Sequence, residues 1–203
     1  WLCQEHLWAN PETLANMILA ARATGMDSMV RIKKAGYSSA IIPLEMGAKC
    51  IMVPHILSKD EAKDWVKATR FAPIGSRGLD GVNADADWGH MSLKEYLKFS
   101  NEETALILQI EDVAVIPEID EIASVPGFDI LFVGIGDLSQ SLGYTGELHR
   151  PEIWEILKKV AEAAKRHGKF VGAPGLSPEW TQRLLELGYR FITSGADIVF
   201  LKK

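Results

Sequence analysis

Short apolar or β-branched runs alternate with stretches of helical period along most of the chain. Asn10-Pro11-Glu12 reads as an N-cap, a proline at the first helical position and a first-turn acid, and the helix it opens stops at Gly25. Residues 28–32 and 50–54 then read as strands. Between them lies a shorter helix ending before Gly47, where Pro43 is tolerated only in a first turn or at a kink. Ser58-Lys59-Asp60-Glu61 and Ser92-Leu93-Lys94-Glu95 are both capping boxes, each opening a helix. Residues 71–91 hold Pro73, Gly75, Gly78, Gly81 and Gly89 with no sustained period, which predicts a long loop of the kind that usually serves function. Residues 105–110 (ALILQI) form a continuous apolar strand of the type buried on both faces of a parallel sheet. A helix over 114–124, a strand at 129–133, a helix over 151–167, a strand at 169–172, a helix over 178–187 and a strand at 191–193 complete the pattern.

Six strands alternate with helices, and Trp1-Leu2-Cys3 reads as the stub of a seventh. Such alternation fits either a doubly wound open sheet or a (β/α)8 TIM barrel. The positions of the chemistry-bearing residues favour the barrel. His6, Arg31, His55, Glu111 and Asp137 all fall at or just after strand C-termini, and a doubly wound sheet would gather such groups at only one switch point. The expectation is therefore a single α/β barrel domain over residues 1–203, without the first strand and the last helix, because such barrels typically take about 250 residues.

Composition narrows the classes. With 22 basic against 27 acidic residues the net charge is −5. No basic cluster is available to a nucleic acid or a membrane surface. No apolar run approaches the roughly 18 residues that span a bilayer, and the first residues lack a signal peptide's basic region, so a cytoplasmic location is expected. Two cysteines, Cys3 and Cys50, are too few for a disulfide framework and lack zinc spacing.

The candidate chemistry lies at the strand ends. Gln109-Ile110-Glu111 closes one buried strand and Gly134-Ile135-Gly136-Asp137 follows the next. Neighbouring parallel strands lie about 4.8 Å apart, so Glu111 and Asp137 can share a divalent cation and leave coordination positions open for a chelating substrate. Each also has an ordinary reading, Glu111 as a helix cap and Asp137 as a first-turn acid. Backbone N–H groups around Gly136 could take a carboxylate, although a G-x-G before a helix is common in tight turns. His6 and His55 are candidate general bases, whereas His90, His149 and His167 fall in a loop or at helix ends. Arg31, inside an apolar strand, must meet an anion there, and the residues alone leave open whether that anion is a neighbouring carboxylate such as Glu45 or a bound substrate.

Taken together, Glu5-His6, Val30-Arg31, Gly47-Ala48 leading to Val53-Pro54, Ala68-Thr69-Arg70-Phe71 with Pro73-x-Gly75-x-Arg77-Gly78, Gln109-Ile110-Glu111 and Val133-Gly134-x-Gly136-Asp137-Leu138-Ser139 occur in the order and approximate spacing of a known family. By these motifs nearly the whole chain resembles the class II, metal-dependent pyruvate aldolases of the HpcH/HpaI aldolase family. The resemblance implies a (β/α)8 barrel that cleaves a 4-hydroxy-2-oxo acid, of the 2-keto-3-deoxy acid type, reversibly to pyruvate and an aldehyde. It also implies Glu111 and Asp137 as ligands of Mg²⁺, Mn²⁺ or Co²⁺, with Gln109 and Gly136 at the substrate. By the same likeness Arg31 contacts the 2-oxo oxygen, His6 is the base and Glu45 is the acid paired with it. The implied assembly is a hexamer built as a dimer of trimers, with no nucleic-acid or membrane partner. Three residues depart from the family pattern: Glu45 stands for an aspartate, Cys3 for an acid near the base, and Ile135-Gly136 for a Pro-Ala type pair. An acyl-CoA lyase of the citrate lyase β-subunit type and a non-catalytic oxo-acid-binding barrel subunit are the alternatives.

Overall fold

A computed structural model describes residues 1–7 and 9–202 and divides them into two compact units. The first comprises residues 1–54, 60–107 and 126–128, and the second residues 55–59, 108–125 and 129–203. Among the described residues no helix is long and apolar enough to cross a membrane.

The first unit begins with β1 (Leu2–Cys3), α1 (Pro11–Ala23), β2 (Met29–Arg31), α2 (Tyr37–Glu45), β3 (Cys50–Val53) and α3 (Lys59–Thr69), and ends with α4 (Leu93–Glu103) and the first half of β4 (Ala105–Ile110). Its strands follow in the order β1-β2-β3-β4. β1 pairs with β2, and β2 with β3, in parallel register. Local chemistry sets the helix ends: the Asn10 carboxamide accepts from the Thr13 N–H at the start of α1. At α4, Ser92 and Glu95 complete the expected capping box. Pro43 stands in the last turn of α2 rather than its first, and the helix ends within three residues, at Met46 and Gly47. Without an N–H, Pro43 cannot donate to the Ser39 carbonyl, so this short helix loses one of its internal hydrogen bonds.

The long loop after α3 is tied down from beneath and carries a 3₁₀ segment, Ala84–Gly89. Arg77 is buried beneath it, donating to Asp85 Oδ2 at 2.7 Å and to Ser100 Oγ at 3.1 Å, with its guanidinium 4.7 Å from the Phe71 ring centroid. The Tyr96 hydroxyl donates to the same Asp85 oxygen at 2.6 Å. Burial, and that hydrogen bond after it, push the Tyr96 phenol well above its ordinary range.

The second unit carries the last half of β4, a 3₁₀ turn at Val113–Glu118, α5 (Ile119–Ala123), β5 (Ile130–Val133), α6 (Ile135–Ser141), α7 (Pro151–Arg166), β6 (Phe170–Pro174), α8 (Pro178–Glu186), β7 (Phe191–Thr193) and α9 (Asp197–Leu201). The strand order here is β4-β5-β6-β7. β5 to β6 and β6 to β7 are parallel. α7 buries Ile153, Trp154, Ile156, Leu157, Val160 and Ala164. Its Leu157 carbonyl accepts the Tyr189 hydroxyl at 2.9 Å, and burial pushes that phenol upward as well. The helix expected over 114–124 is split, because Pro117 has no N–H to extend an α-helical ladder through the first turns. Residues 197–201 form a short helix with apolar, exposed Ile198, Val199, Phe200 and Leu201.

Among the described residues the fold is α/β with seven strands in sequential order. Sequential order excludes the doubly wound alternative, whose strand order reverses at a switch point. It is the order that a (β/α)8 barrel uses, one strand short of eight.

Candidate active site

The sequence-derived candidates fall into two groups, one in each unit. In the first unit, β1 and β2 pair so that Cys3 lies opposite Arg31, and the Gln4 N–H donates to the Arg31 carbonyl at 2.8 Å. Residues 4–6 bend immediately after β1. Arg31 Nε then lies 3.0 Å from Glu5 Oε2, and Arg31 Nη2 donates to Cys3 Sγ at 3.1 Å. The anion required by a guanidinium in an apolar strand is therefore Glu5. Its side chain and that of Arg31 are only 13% and 14% exposed. The guanidinium carbon also sits 5.1 Å from the Trp1 ring centroid, within the range of a cation–π contact.

His6 Nε2 is 3.5 Å from the same Glu5 oxygen, and its ring is largely exposed. One carboxylate thus serves both the candidate base and the candidate oxo-acid contact. Glu5 was not singled out from sequence, although the adjacent Glu5-His6 pair in the motif was the signal available. Glu45 is placed elsewhere in this unit, at the end of α2, where its electrostatic neighbours are Arg77, Asp85 and Asp80. Burial raises its pKa above the ordinary carboxylate value, and the Arg77 cation only partly opposes this. The acid beside His6 is therefore Glu5, which immediately precedes it in the chain.

In the second unit, Gln109 and Glu111 are both buried at the end of β4, with the Glu111 side chain 1% exposed. The Gln109 amide N–H donates to Glu111 Oε2. Glu111 Oε1 accepts the His55 backbone N–H at 2.8 Å, and His55 Nδ1 stands 3.2 Å from it. His55 adopts φ +50°, a left-handed conformation unusual outside glycine, and its backbone N–H is the group so directed. This makes His55 a partner of Glu111 in its own unit. The Gly134 N–H donates to the Ile110 carbonyl at 3.0 Å, which joins β4 to the start of α6. A Cβ at Gly134 would run into the Glu111 carboxylate and the Gln109 amide, so this glycine is required by close approach. Open space lies over Gly136, and Asp137 is a partly buried residue in the first turn of α6.

This donor set fits a divalent cation. A carboxylate offers about four lone-pair sites and can serve several partners at once. Beside it, Gln109 Oε1 is buried without a hydrogen-bond partner. A buried carboxylate, an unsatisfied amide oxygen and a following aspartate are hard oxygen donors of the kind Mg²⁺ and Mn²⁺ prefer.

The family model described as HpcH/HpaI aldolase/citrate lyase matches residues 11–202. A 2-keto-3-deoxy-L-rhamnonate aldolase of Klebsiella pneumoniae is 33% identical over 155 residues, which cover 76% of this chain and 57% of that protein. A 4-hydroxy-2-oxo-heptane-1,7-dioate aldolase of Escherichia coli is 31% identical over 161 residues, covering 79% of this chain and 61% of that protein. The chain thus spans about three-fifths of the length of these relatives. The crystal structure of an HpcH/HpaI aldolase/citrate lyase family protein from Burkholderia cenocepacia superposes with a TM-score of 0.90 at 31% identity, covering 99% of this chain and 80% of that one. The chain belongs to the HpcH/HpaI aldolase/citrate lyase family.

Proposed function

We propose that this protein is a metal-dependent carbon–carbon lyase that cleaves a 4-hydroxy-2-oxo acid to pyruvate and an aldehyde. The observation that carries the reading is the buried Glu111 carboxylate with the unsatisfied Gln109 oxygen beside it. A buried carboxylate beside an unsatisfied amide oxygen is the kind of oxygen-rich surrounding that suits a hard divalent cation.

Glu111 and Asp137 are the residues that would hold a divalent metal, Mg²⁺, Mn²⁺ or Co²⁺, and when bound it supplies charge stabilisation for the oxygen of the forming enolate. Gln109 contributes a polar contact at the oxo acid, and the Gly136 N–H is offered to its carboxylate. Arg31 donates to the 2-oxo oxygen and strengthens that contact as negative charge develops there. His6 takes the proton of the 4-hydroxyl. As that proton leaves, the oxygen's electrons form the aldehyde carbonyl, the C3–C4 bond breaks, and its electron pair passes into the enolate of pyruvate. Protonation at C3 then gives pyruvate. Glu5, beside His6 in the same chain, orients the imidazole.

The test is a retro-aldol assay of several 4-hydroxy-2-oxo acids with pyruvate release as the readout. Chelator treatment should lower turnover by about 10³-fold, a loss that Mn²⁺, Mg²⁺ or Co²⁺ reverses. His6→Ala should lose about 10²- to 10⁴-fold in turnover while retaining pyruvate binding. Full activity in excess chelator would overturn the metal reading, and turnover of a coenzyme A thioester alone would point to the acyl-CoA lyase branch of the family.

A further inference from the structure

Glu111 is held at both carboxylate oxygens by groups of its own unit. Oε2 accepts the Gln109 amide N–H, and Oε1 accepts the His55 backbone N–H at 2.8 Å. His55 Nδ1 lies 3.2 Å from that same Oε1, so one residue brings two nitrogens to one oxygen. A ring nitrogen presenting its lone pair would repel a carboxylate oxygen at this distance, which assigns the proton to Nδ1 and makes it a donor. The imidazole is 45% exposed, so packing contributes little to its direction and the contact with Glu111 sets it. The backbone is committed to the same end. His55 stands at φ +50°, and the next N–H, of buried Ile56, donates to the Gln109 carbonyl at 3.1 Å. Left-handed backbone at a residue with a side chain persists where surrounding contacts over-determine it. Here those contacts are made with Gln109 and Glu111, the two polar residues at the end of β4.

We propose that His55 is a positioning residue for Glu111: its imidazole N–H, together with its backbone N–H, fixes the plane of the carboxylate and so sets the affinity for a divalent cation. This role deepens the reading of Glu111 as a metal ligand and rests on it. Donors that orient a metal-bound side chain typically contribute about 10- to 100-fold in metal affinity. Substitution can separate the two donors. Glycine retains the backbone N–H and adopts φ +50° without strain, but it has no ring. Asparagine also tolerates this backbone region, and its amide nitrogen is as many bonds from Cα as Nδ1 of histidine.

The experiment titrates Mn²⁺ into the full chain and into its His55→Gly, His55→Asn, His55→Leu and Glu111→Gln variants. Free Mn²⁺ is read by electron paramagnetic resonance, and thermal melts of the metal-free proteins check folding. His55→Gly should raise the Mn²⁺ dissociation constant roughly 10- to 100-fold, whereas His55→Asn, which restores a side-chain donor, should stay within about fivefold of the parent. Parental affinity in His55→Gly, with affinity lost in Glu111→Gln, would overturn the role of His55 and leave the metal reading intact. Equal losses in the glycine and asparagine variants would overturn the role of the imidazole N–H. Parental affinity in Glu111→Gln, or no Mn²⁺ binding by the parent, would overturn the metal reading itself and this role with it. If His55→Gly fails to fold, His55→Leu takes its place, since leucine has no side-chain donor, and is compared with His55→Asn on the same terms.

Discussion

Arg77 and Arg31 lie in the same unit, each paired with one carboxylate, yet their surroundings differ in kind. The Arg77 side chain is 0% exposed, fixed by Asp85 and Ser100 and stacked on Phe71. Its charge is used within the fold, where it holds the loop after α3 against α4. Arg31 is slightly exposed, meets Glu5 off the hydrogen-bond axis and rests on sulfur. Its partners are thus a carboxylate and a thiol at a strand end, whereas those of Arg77 are a carboxylate, a hydroxyl and a ring inside the fold.

Replacing each arginine should separate the two roles. Arg77→Met leaves Asp85 as a buried carboxylate without its cation, and breaking such a pair typically costs about 3–5 kcal/mol. Urea unfolding should show that loss, and a change under about 1 kcal/mol would place Arg77 among ordinary surface pairs. Arg31→Gln should reverse the pattern, with a stability loss of about 1 kcal/mol but a fall of at least roughly tenfold in kcat/KM for the oxo acid. Equal stability losses in the two variants would remove the distinction.

The smallest effect concerns Glu45, which shares the surroundings of Arg77. Burial raises its pKa, and Asp85 and Asp80 push in the same direction against the Arg77 cation. A carboxyl group raised in the folded state contributes most below its ordinary value of 4.5, and that contribution is lost as pH climbs through the raised value. Glu45→Gln should therefore be slightly more stable than the parent at neutral pH, by less than about 1 kcal/mol, with the difference vanishing at acid pH. Thermal melts at several pH values check this, and a gap that widens on acidification contradicts the sign.

Much of the fold is legible in the chain because its signals are local. Asn10 and Ser92 each cap a helix through a backbone N–H three residues away, as their spacing implies. The unbroken apolar run of β4 and the amphipathic period of α7 likewise fall where the structure puts them. The losses came where local rules compete. Pro117 splits one expected helix, and Pro43 stands in the last turn of α2 where sequence rules favoured the first. The chain at 197–201 winds into a helix without a side-chain cap to announce it. At the candidate site, the residue types of Arg31, Glu111 and Gln109 carried a clear warning, since polar groups in apolar strands must find partners. Which partners they find is a long-range matter, and Glu5 in place of Glu45 at Arg31 shows it.

The amino-acid sequence by itself determined the alternation of strands and helices, most helix ends, and the presence of polar groups at strand C-termini. Hydrophobic period, caps and turn residues act over a few positions, so they need no knowledge of the rest of the chain. Only the tertiary structure decided that Arg31 meets Glu5 and Cys3, that Arg77 is spent on Asp85, and that Glu111 shares its carboxylate between Gln109 and His55. These pairings depend on strand register and close backbone approach. Separations of up to 56 residues along the chain are brought there to about 3 Å, and no local period encodes them.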